Sequence, residues 1–473
     1  MQAWIAVETQ AADFGDERLN ARYRLLLERW SDKPSLSIPA ACRGLAETTA
    51  AYRFCDNAKT AAAQVLQPHR QATVERVRAE AVVIVAQDTT EIELTRKQEK
   101  VGGPLNDLSR WGLYVHPLLA MTPERVPLGV VDAEFWSRDA ETFAQSRDTK
   151  RRVRKQKPFA EKESSRWRRG YESAGTLAEA APNTKVVLVS DSEGDIYECL
   201  QGGGKAEWIV RGCQDRALQD AATAGLWTTL GGAKALGTLT IQVNKRTAAH
   251  GDGRQRDQTR TTARQALVTV RAQRVELRPP ARPGGLALPA VSVNVVLVRE
   301  ENPPAGEAAI EWLLLTSLPI ETFADVCQVI DDYCCRWEIE IYFRVLKSGC
   351  KIEELQFERE DRYQVALALY MIVAWRVLYV LMLGRQCPEM RCDAVFEEAE
   401  WKSVYVIAQG KAAPAEPPPL GVMVKMIAAF GGYLDRKSDG PPGPQTMWIG
   451  LQRTRDFAAA WQAFGPERRR KDV

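Results

Sequence analysis

The stretch Tyr333-Cys-Cys-Arg336-Trp-Glu-Ile-Glu340-Ile-Tyr-Phe-Arg344-Val-Leu-Lys347 decides how the rest of the chain is read. Tyr333, Arg336, Glu340, Arg344 and Lys347 step by three or four residues, so on one continuous helix they share a face. Ile330, Cys334, Trp337, Ile341 and Val345 repeat with the same period, offset by one position, and suit the side that packs into a core. The polar face is then left to meet a ligand. A carboxylate ringed by two arginines, a lysine and a phenol suits metal-dependent phosphodiester chemistry, the acid holding a cation and the bases holding phosphates. A solvated face laced with ion pairs is the plainer reading of the same helix.

Two upstream segments each end an apolar run on an aspartate. Ala81-Val-Val-Ile-Val85-Ala-Gln-Asp88 is short, β-branched and without helical period, which predicts a buried strand; Lys185-Val-Val-Leu-Val189-Ser-Asp191 repeats the plan. An acid at the end of such a strand stands at the lip of a sheet, where α/β folds keep their sites. Each aspartate alone also suits a cap or a turn. Two such strands and an acid-bearing helix together supply three carboxylates, a set able to hold a pair of Mg²⁺ ions for in-line displacement at phosphorus.

The order Asp88, Asp191, Glu340, with Tyr333, Arg336, Glu340 and Lys347 spaced as above, resembles the DDE transposases of the insertion-sequence-four group, and within it the Tn-5-like branch. The run from Asn302-Pro-Pro-Ala-Gly306 through Trp312-Leu-Leu-Leu-Thr-Ser317 to Asp331 is similar to the family's stretch before its catalytic helix. Ala51-Tyr-Arg-Phe54, Ser109-Arg110 with Val115-His116, Glu161-Lys-Glu-Ser164 and Gly431-Gly-Tyr-Leu-Asp435 are similar too, and follow in colinear order. The resemblance implies an α/β fold: a ribonuclease-H-like core with an antiparallel β insertion, flanked by helical N- and C-terminal domains. It implies catalysis and metal binding by Asp88, Asp191 and Glu340, with two Mg²⁺ ions for which Mn²⁺ substitutes. DNA contacts are implied at Tyr333, Arg336, Arg344, Lys347, Trp337, Arg211 and Trp312, the last stacking on a base flipped from the duplex. Arg18, Arg22 and Arg53 are implied contacts to transposon-end DNA, with Tyr52 packing nearby. The implied reaction is cut-and-paste transposition: nicking, hairpin formation and opening, then joining to target DNA, by a homodimer bridging two ends. One departure concerns Ser192, where the Tn-5-like pattern has a basic residue; Glu193 and Asp195 are kept.

Charge and composition agree in kind. The chain has 473 residues and a formal net charge of only +3, so any attraction to DNA must be local. Lys150-Arg-Arg-Val-Arg-Lys-Gln-Lys157 with Arg166-Trp-Arg-Arg169, Lys245 to Arg282, and Arg468-Arg-Arg-Lys471 are the dense basic stretches. Such runs are often merely solvated, yet phosphate backbones attract them through counterion release. Ten cysteines without a Cys-x-x-Cys pair, and three histidines, make a poor inventory for zinc and suit reduced thiols in a cytoplasmic protein; association with the nucleoid is what the resemblance implies. The N-terminus lacks the pattern of a secretory signal. Val365 to Leu383 is apolar enough for a membrane span, but Arg376 at its middle favours a buried helix.

The expected organisation is a helical end-DNA-binding domain over 1–62, a catalytic domain over 63–387 and a helical dimerisation domain over 388–473. Strand-like runs at 239–243, 266–271, 291–298 and 312–316 place the β insertion at about 205–318. Ala412-Ala-Pro-Ala-Glu-Pro-Pro-Pro419 reads as a stiff linker, and helices are expected over 422–430 and 446–464. Two other classes stay open on the sequence: a nuclease that cuts without joining, and a binder that occupies ends and represses.

Overall fold

The computed structural model describes residues 2–95, 100–202, 204–220, 225–243, 264–281 and 288–465. Most of the basic stretch from 245 to 282, and all of 468–471, lies outside the described residues.

Five helices open the chain: α1 (Ala3–Thr9), α2 (Glu17–Asp32), α3 (Ile38–Ala41), α4 (Leu45–Cys55) and α5 (Ala62–Arg78). Strands β1 (Val82–Gln87), β2 (Thr90–Glu93), β3 (Gly103–Pro104), β4 (Trp111–Met121) and β5 (Pro127–Trp136) follow. Next come α6 (Ala140–Ala144), α7 (Arg147–Gln156), α8 (Ser165–Ala180), β6 (Lys185–Ser190), α9 (Tyr197–Leu200), β7 (Glu207–Arg211) and α10 (Leu226–Gly232). Four strands, β8 (Gly237–Val243), β9 (Arg264–Leu277), β10 (Val291–Arg299) and β11 (Glu311–Thr316), lead to α11 (Phe323–Cys334) and α12 (Glu338–Arg344). Helices α13 (Glu360–Gln386), α14 (Glu398–Gln409), α15 (Leu420–Phe430) and α16 (Pro444–Phe464) close the described chain. The chain divides into two compact units: Met1–Arg152 with Ala180–Thr184 and Trp337–Val473, and Val153–Glu179 with Lys185–Arg336.

In the first unit β4 pairs antiparallel with β1 and β2 along one edge, and with β5 and β3 along the other. The register Gln87↔Leu118 continues without a shift into Thr90↔Val115. Asp88 therefore falls opposite Pro117, which has no amide N–H to offer the ladder, and the pairing breaks at the aspartate. Helices α5 and α13 cover β5. Trp375 of α13 donates its indole N–H to the Pro127 carbonyl at 2.8 Å. His69 of α5 is fully buried; its Nδ1 meets the Glu8 carboxylate, and its Nε2 accepts the Val130 N–H at 2.9 Å. Helix α13 is long and apolar enough to cross a membrane, but its apolar window is 94% buried within the protein. That burial is what the Arg376 argument anticipated.

In the C-terminal part of this unit α16 packs against α13, α14 and α15. Gly450 of α16 lies so near the Ile427 carbonyl that a Cβ would fall 2.0 Å from its oxygen. The proline-rich 412–419 segment is docked as well as extended. Cys392 N–H donates to Pro418, Leu420 N–H donates to Met390, and Arg391 pairs with Glu416 at 3.1 Å. The expected linker is thus held against the turn after α13.

The second unit carries a mixed sheet in the order β6-β7-β11-β10-β9-β8. Among the described strands of this unit β6 and β7 run parallel, and the later pairs are antiparallel. The four runs expected as strands of the insertion are β8 to β11. Helix α11 packs on β6 and β7, and its start is fixed by a capping box between Thr322 and Asp325.

The expected continuous helix over 333–347 is corrected. Residues Cys335–Trp337 form a 3₁₀ turn between α11 and α12, and Val345–Gly349 form a π-helical turn after α12. A 3₁₀ turn advances about 120° per residue against about 100° in an α-helix, so the two stripes do not keep phase across it. Trp337, expected on the core side, is 37% exposed, while Ile339, Tyr342, Phe343 and Val345 are buried. Tyr333, expected on the open side, is only 7% exposed.

Candidate nucleic-acid and metal site

In the second unit the turn after β6 is built around acids. Asp191 Oδ1 accepts the Glu193 N–H at 2.9 Å, capping the short 3₁₀ turn Ser192–Gly194. Glu193 pairs with Arg166 at 3.1 Å, and Asp195, 1% exposed, forms a buried ion pair with Arg216. Asp195 also accepts the N–H groups of Cys213 and Gln214 at 2.8 and 3.0 Å. Gly194 fits closely here, since a Cβ would stand 2.8 Å from Ser190 Oγ and would force that hydroxyl to shift. The turn that presents Asp191 is therefore rigid on both sides.

Tyr333 gathers the other expected residues of this unit. Burial pushes its phenol pKa up, whereas Arg336, which also hydrogen-bonds it, and Arg211 pull it down; the Asp191 charge acts in the opposite sense. Its ring meets Trp312 edge-on, with centroids 5.9 Å apart. Asp191, Arg211, Trp312, Tyr333 and Arg336 thus form one neighbourhood. Two guanidinium groups beside a half-exposed carboxylate, a half-exposed indole and a phenol are groups that bind phosphate and stack on bases.

In the first unit Asp88 follows β1, and its Oδ1 accepts the N–H of Thr89 at 2.7 Å. The Thr89 hydroxyl meets His116 Nδ1 at 2.9 Å, and His116 Nε2 meets Gln87 Oε1 at 3.1 Å. His116 so braces the two residues that flank Asp88. Helix α12, which carries Glu340, packs on β1, and the Tyr342 hydroxyl ties it to the Met371 carbonyl of α13 at 3.0 Å. Glu340 is half-exposed and Arg344 exposed.

Lys347 has partners that its place on the helix did not foretell. Its Nζ lies 3.8 Å from Glu353, burial lowers its pKa, and the charges of Glu353, Glu91 and Glu93 counter that shift. Arg110 pairs with Glu91 at 3.2 Å and with Glu93 at 2.9 Å, and Glu353 accepts the Glu93 N–H at 3.1 Å. The alternation Glu91-Ile-Glu93 on a strand was the available signal, because period two puts both acids on one face. Among the N-terminal arginines, Arg18 is bound to its own cap residue Asp16 at 3.0 Å, Arg22 is half-exposed and Arg53 is exposed on α4. Tyr52 packs edge-on against Phe357, centroids 5.8 Å apart.

Three family profiles match the chain: "Transposase DNA-binding" over residues 1–60, "Transposase DDE domain" over 115–376, and "Transposase Tn5 dimerisation domain" over 372–463. The second spans more than half of the sequence and includes both Asp191 and Glu340. The chain belongs to the DDE transposase family. The flanking matches make it a Tn5-like member, and its α/β core is of the ribonuclease-H-like kind that the DDE domain implies. Asp88 precedes the matched DDE span. Among solved structures, a piggyBac transposase synaptic complex with hairpin DNA is similar at 8% identity and a TM-score of 0.30, over 65% of this chain and 48% of that one. The chain thus spans about half the length of that structure.

Membership in the DDE family implies dependence on a divalent cation. Carboxylate oxygens are the hard donors that Mg²⁺ prefers, and Asp88, Asp191 and Glu340 are each half-exposed. Donor type and accessibility therefore fit. Among the described residues, no group of three or more His, Cys, Asp or Glu side chains stands together as a preformed metal centre. Asp88 and Glu340 belong to the first unit, and Asp191 to the second.

Proposed function

We propose that the chain is a DNA transposase that binds transposon-end inverted repeats and carries out cut-and-paste transposition as a homodimer. The observation that carries this reading is the neighbourhood of Asp191, Arg211, Trp312, Tyr333 and Arg336, set within a chain of the DDE family. Asp88, Asp191 and Glu340 would hold Mg²⁺, or Mn²⁺ in its place. Two such ions, when bound, activate the attacking oxygen and steady the leaving one.

The remaining roles follow from side-chain chemistry. Arg336 and Arg211 present guanidinium forks to phosphates beside the scissile bond, and Tyr333 orients Arg336 through their hydrogen bond. Lys347 and Arg344 add positive charge along the strand, while Trp312 and the exposed Trp337 offer faces for an unstacked base. Arg18, Arg22 and Arg53 position the N-terminal helices on end DNA. In the proposed cycle water breaks one phosphodiester and frees a 3′-hydroxyl. That hydroxyl attacks the opposite strand to close a hairpin, water reopens the hairpin, and the 3′-hydroxyl then attacks target DNA.

The test is incubation of the purified protein with labelled end DNA, Mg²⁺ and supercoiled target. Joined product is the expected result. Cleavage without joining would make the protein a nuclease, and an end bound but intact would make it a repressor; either outcome removes the proposal.

A further inference from the structure

Helix α7, Arg147-Asp-Thr-Lys-Arg-Arg-Val-Arg-Lys-Gln156, buries none of its residues. Six of its ten side chains are cationic, one is acidic, and Lys157 extends the charge past its end. Among the described residues none of these cations forms an ion pair. The interactions seen are local: Lys150 lies over the Phe143 ring at 4.4 Å, and Ser146 meets Thr149 at 2.9 Å.

Such a helix has little holding it together on its own. Ten residues fall short of the length at which isolated helices persist in water. Arg147/Arg151, Lys150/Arg154 and Arg151/Lys155 are like charges at i,i+4, which oppose the helix instead of supporting it. A helix that is polar on nearly all sides, packs against no core and carries like charges at i,i+4 is stabilised by a partner that compensates its charge. The partner must be a polyanion with charges spaced along its length, and duplex DNA presents one per roughly 1.7 Å of axis. The helix gathers six cations on one short element, and basic side chains crowded together in this way neutralise phosphates whatever the base sequence between them.

We infer that α7 is a second DNA-docking surface, which grips the phosphates of duplex DNA without regard to sequence. The inference rests on DNA being the partner of this protein, and it assigns to α7 a role that the residues around Asp191 and the N-terminal arginines do not fill. A surface of this kind adds counterion release to binding, and so steepens its dependence on salt.

The experiment compares the parent protein with Lys150→Gln/Arg151→Gln/Arg154→Gln/Lys155→Gln. Glutamine is a good helix former and these side chains pack on no core, so circular dichroism should show the fold retained. Binding to an end duplex and to an unrelated duplex is titrated from 50 to 300 mM salt without divalent cation. The slope of log affinity against log salt is expected to fall by about 3 to 4 on both duplexes, near 0.9 for each phosphate that the variant no longer neutralises. A control removing Lys411, Arg436, Lys437 and Arg453, each also changed to Gln, should change the slope little. An unchanged slope in the α7 variant, an equal fall in the control, or a fall confined to one duplex would overturn the inference. Because the slope is read without chemistry, failure of the parent to cut or join ends would count against the transposase reading alone.

Discussion

Tyr333 ties burial to the proposed function. Its buried hydroxyl is held by Arg336 and feels the charges of Arg211 and Asp191. Tyr333→Phe removes only that oxygen. A hydrogen bond to a charged group contributes about 1.5–3 kcal/mol, so joining should slow on the order of 10- to 100-fold. Single-turnover kinetics on pre-bound ends checks this, with end affinity expected to stay unchanged. His69 supplies a pH dependence of stability. The Val130 N–H can only donate, so Nε2 must stay unprotonated while Nδ1 donates to Glu8. Burial lowers the His69 pKa from its ordinary 6.5; burial works to raise that of Glu8, but His69 and Arg76 hold it below 4.5. A depressed folded pKa means that the unfolded chain takes up the proton first. Stability should therefore be full above pH 6.5 and fall below it, by up to about 1.4 kcal/mol per pH unit for His69 alone. Urea titrations between pH 7.5 and 5 measure that slope, and His69→Gln should flatten it.

At the scale of elements, the breaks around α12 decide which residues face where. Gly349 ends the π-helical turn with its Cα against the Trp448 ring, and a Cβ there would fall 2.9 Å from ring atoms. Gly349→Ala should cost about 1–3 kcal/mol through overpacking, read as a lower thermal midpoint. Six of the eleven described strands were legible in the sequence as apolar or β-branched runs, such as Val82–Val85 and Val291–Val298, the latter standing between glycine and proline clusters, whereas β2, β3, β5 and β7 carried no such signal. Strand β4 was not legible either, beyond the pair Val115-His116: it mixes glycine, proline and methionine with no alternation, and is held as a strand by neighbours on both edges. The 3₁₀ turn at Cys335–Trp337 was equally hidden. No proline or glycine marks it, so tertiary packing overrides local preference there. Of the site, the residue types and their order were readable. Their environment was not: the Arg211 charge beside Tyr333 and the Glu91 and Glu93 charges beside Lys347 come from segments distant in sequence, and the exposure of Trp337 goes with the hidden 3₁₀ turn.

At the scale of the whole molecule, a net charge of +3 conceals strong local fields: a bare cationic helix at α7, an arginine pair beside Asp191, and an acidic patch around Lys347. Helix α13 gives the first unit its apolar centre, against which α2, α4, α5, α15 and α16 pack. The central claim is the proposal that Asp88, Asp191 and Glu340 act as one set in catalysis. Alanine at each of the three positions in turn, assayed with end DNA at saturating Mg²⁺, tests it most directly. The account predicts that each variant binds ends with parental affinity yet loses cleavage and joining by at least about 1,000-fold. Cleavage or joining within about tenfold of the parent in any one of them would contradict it.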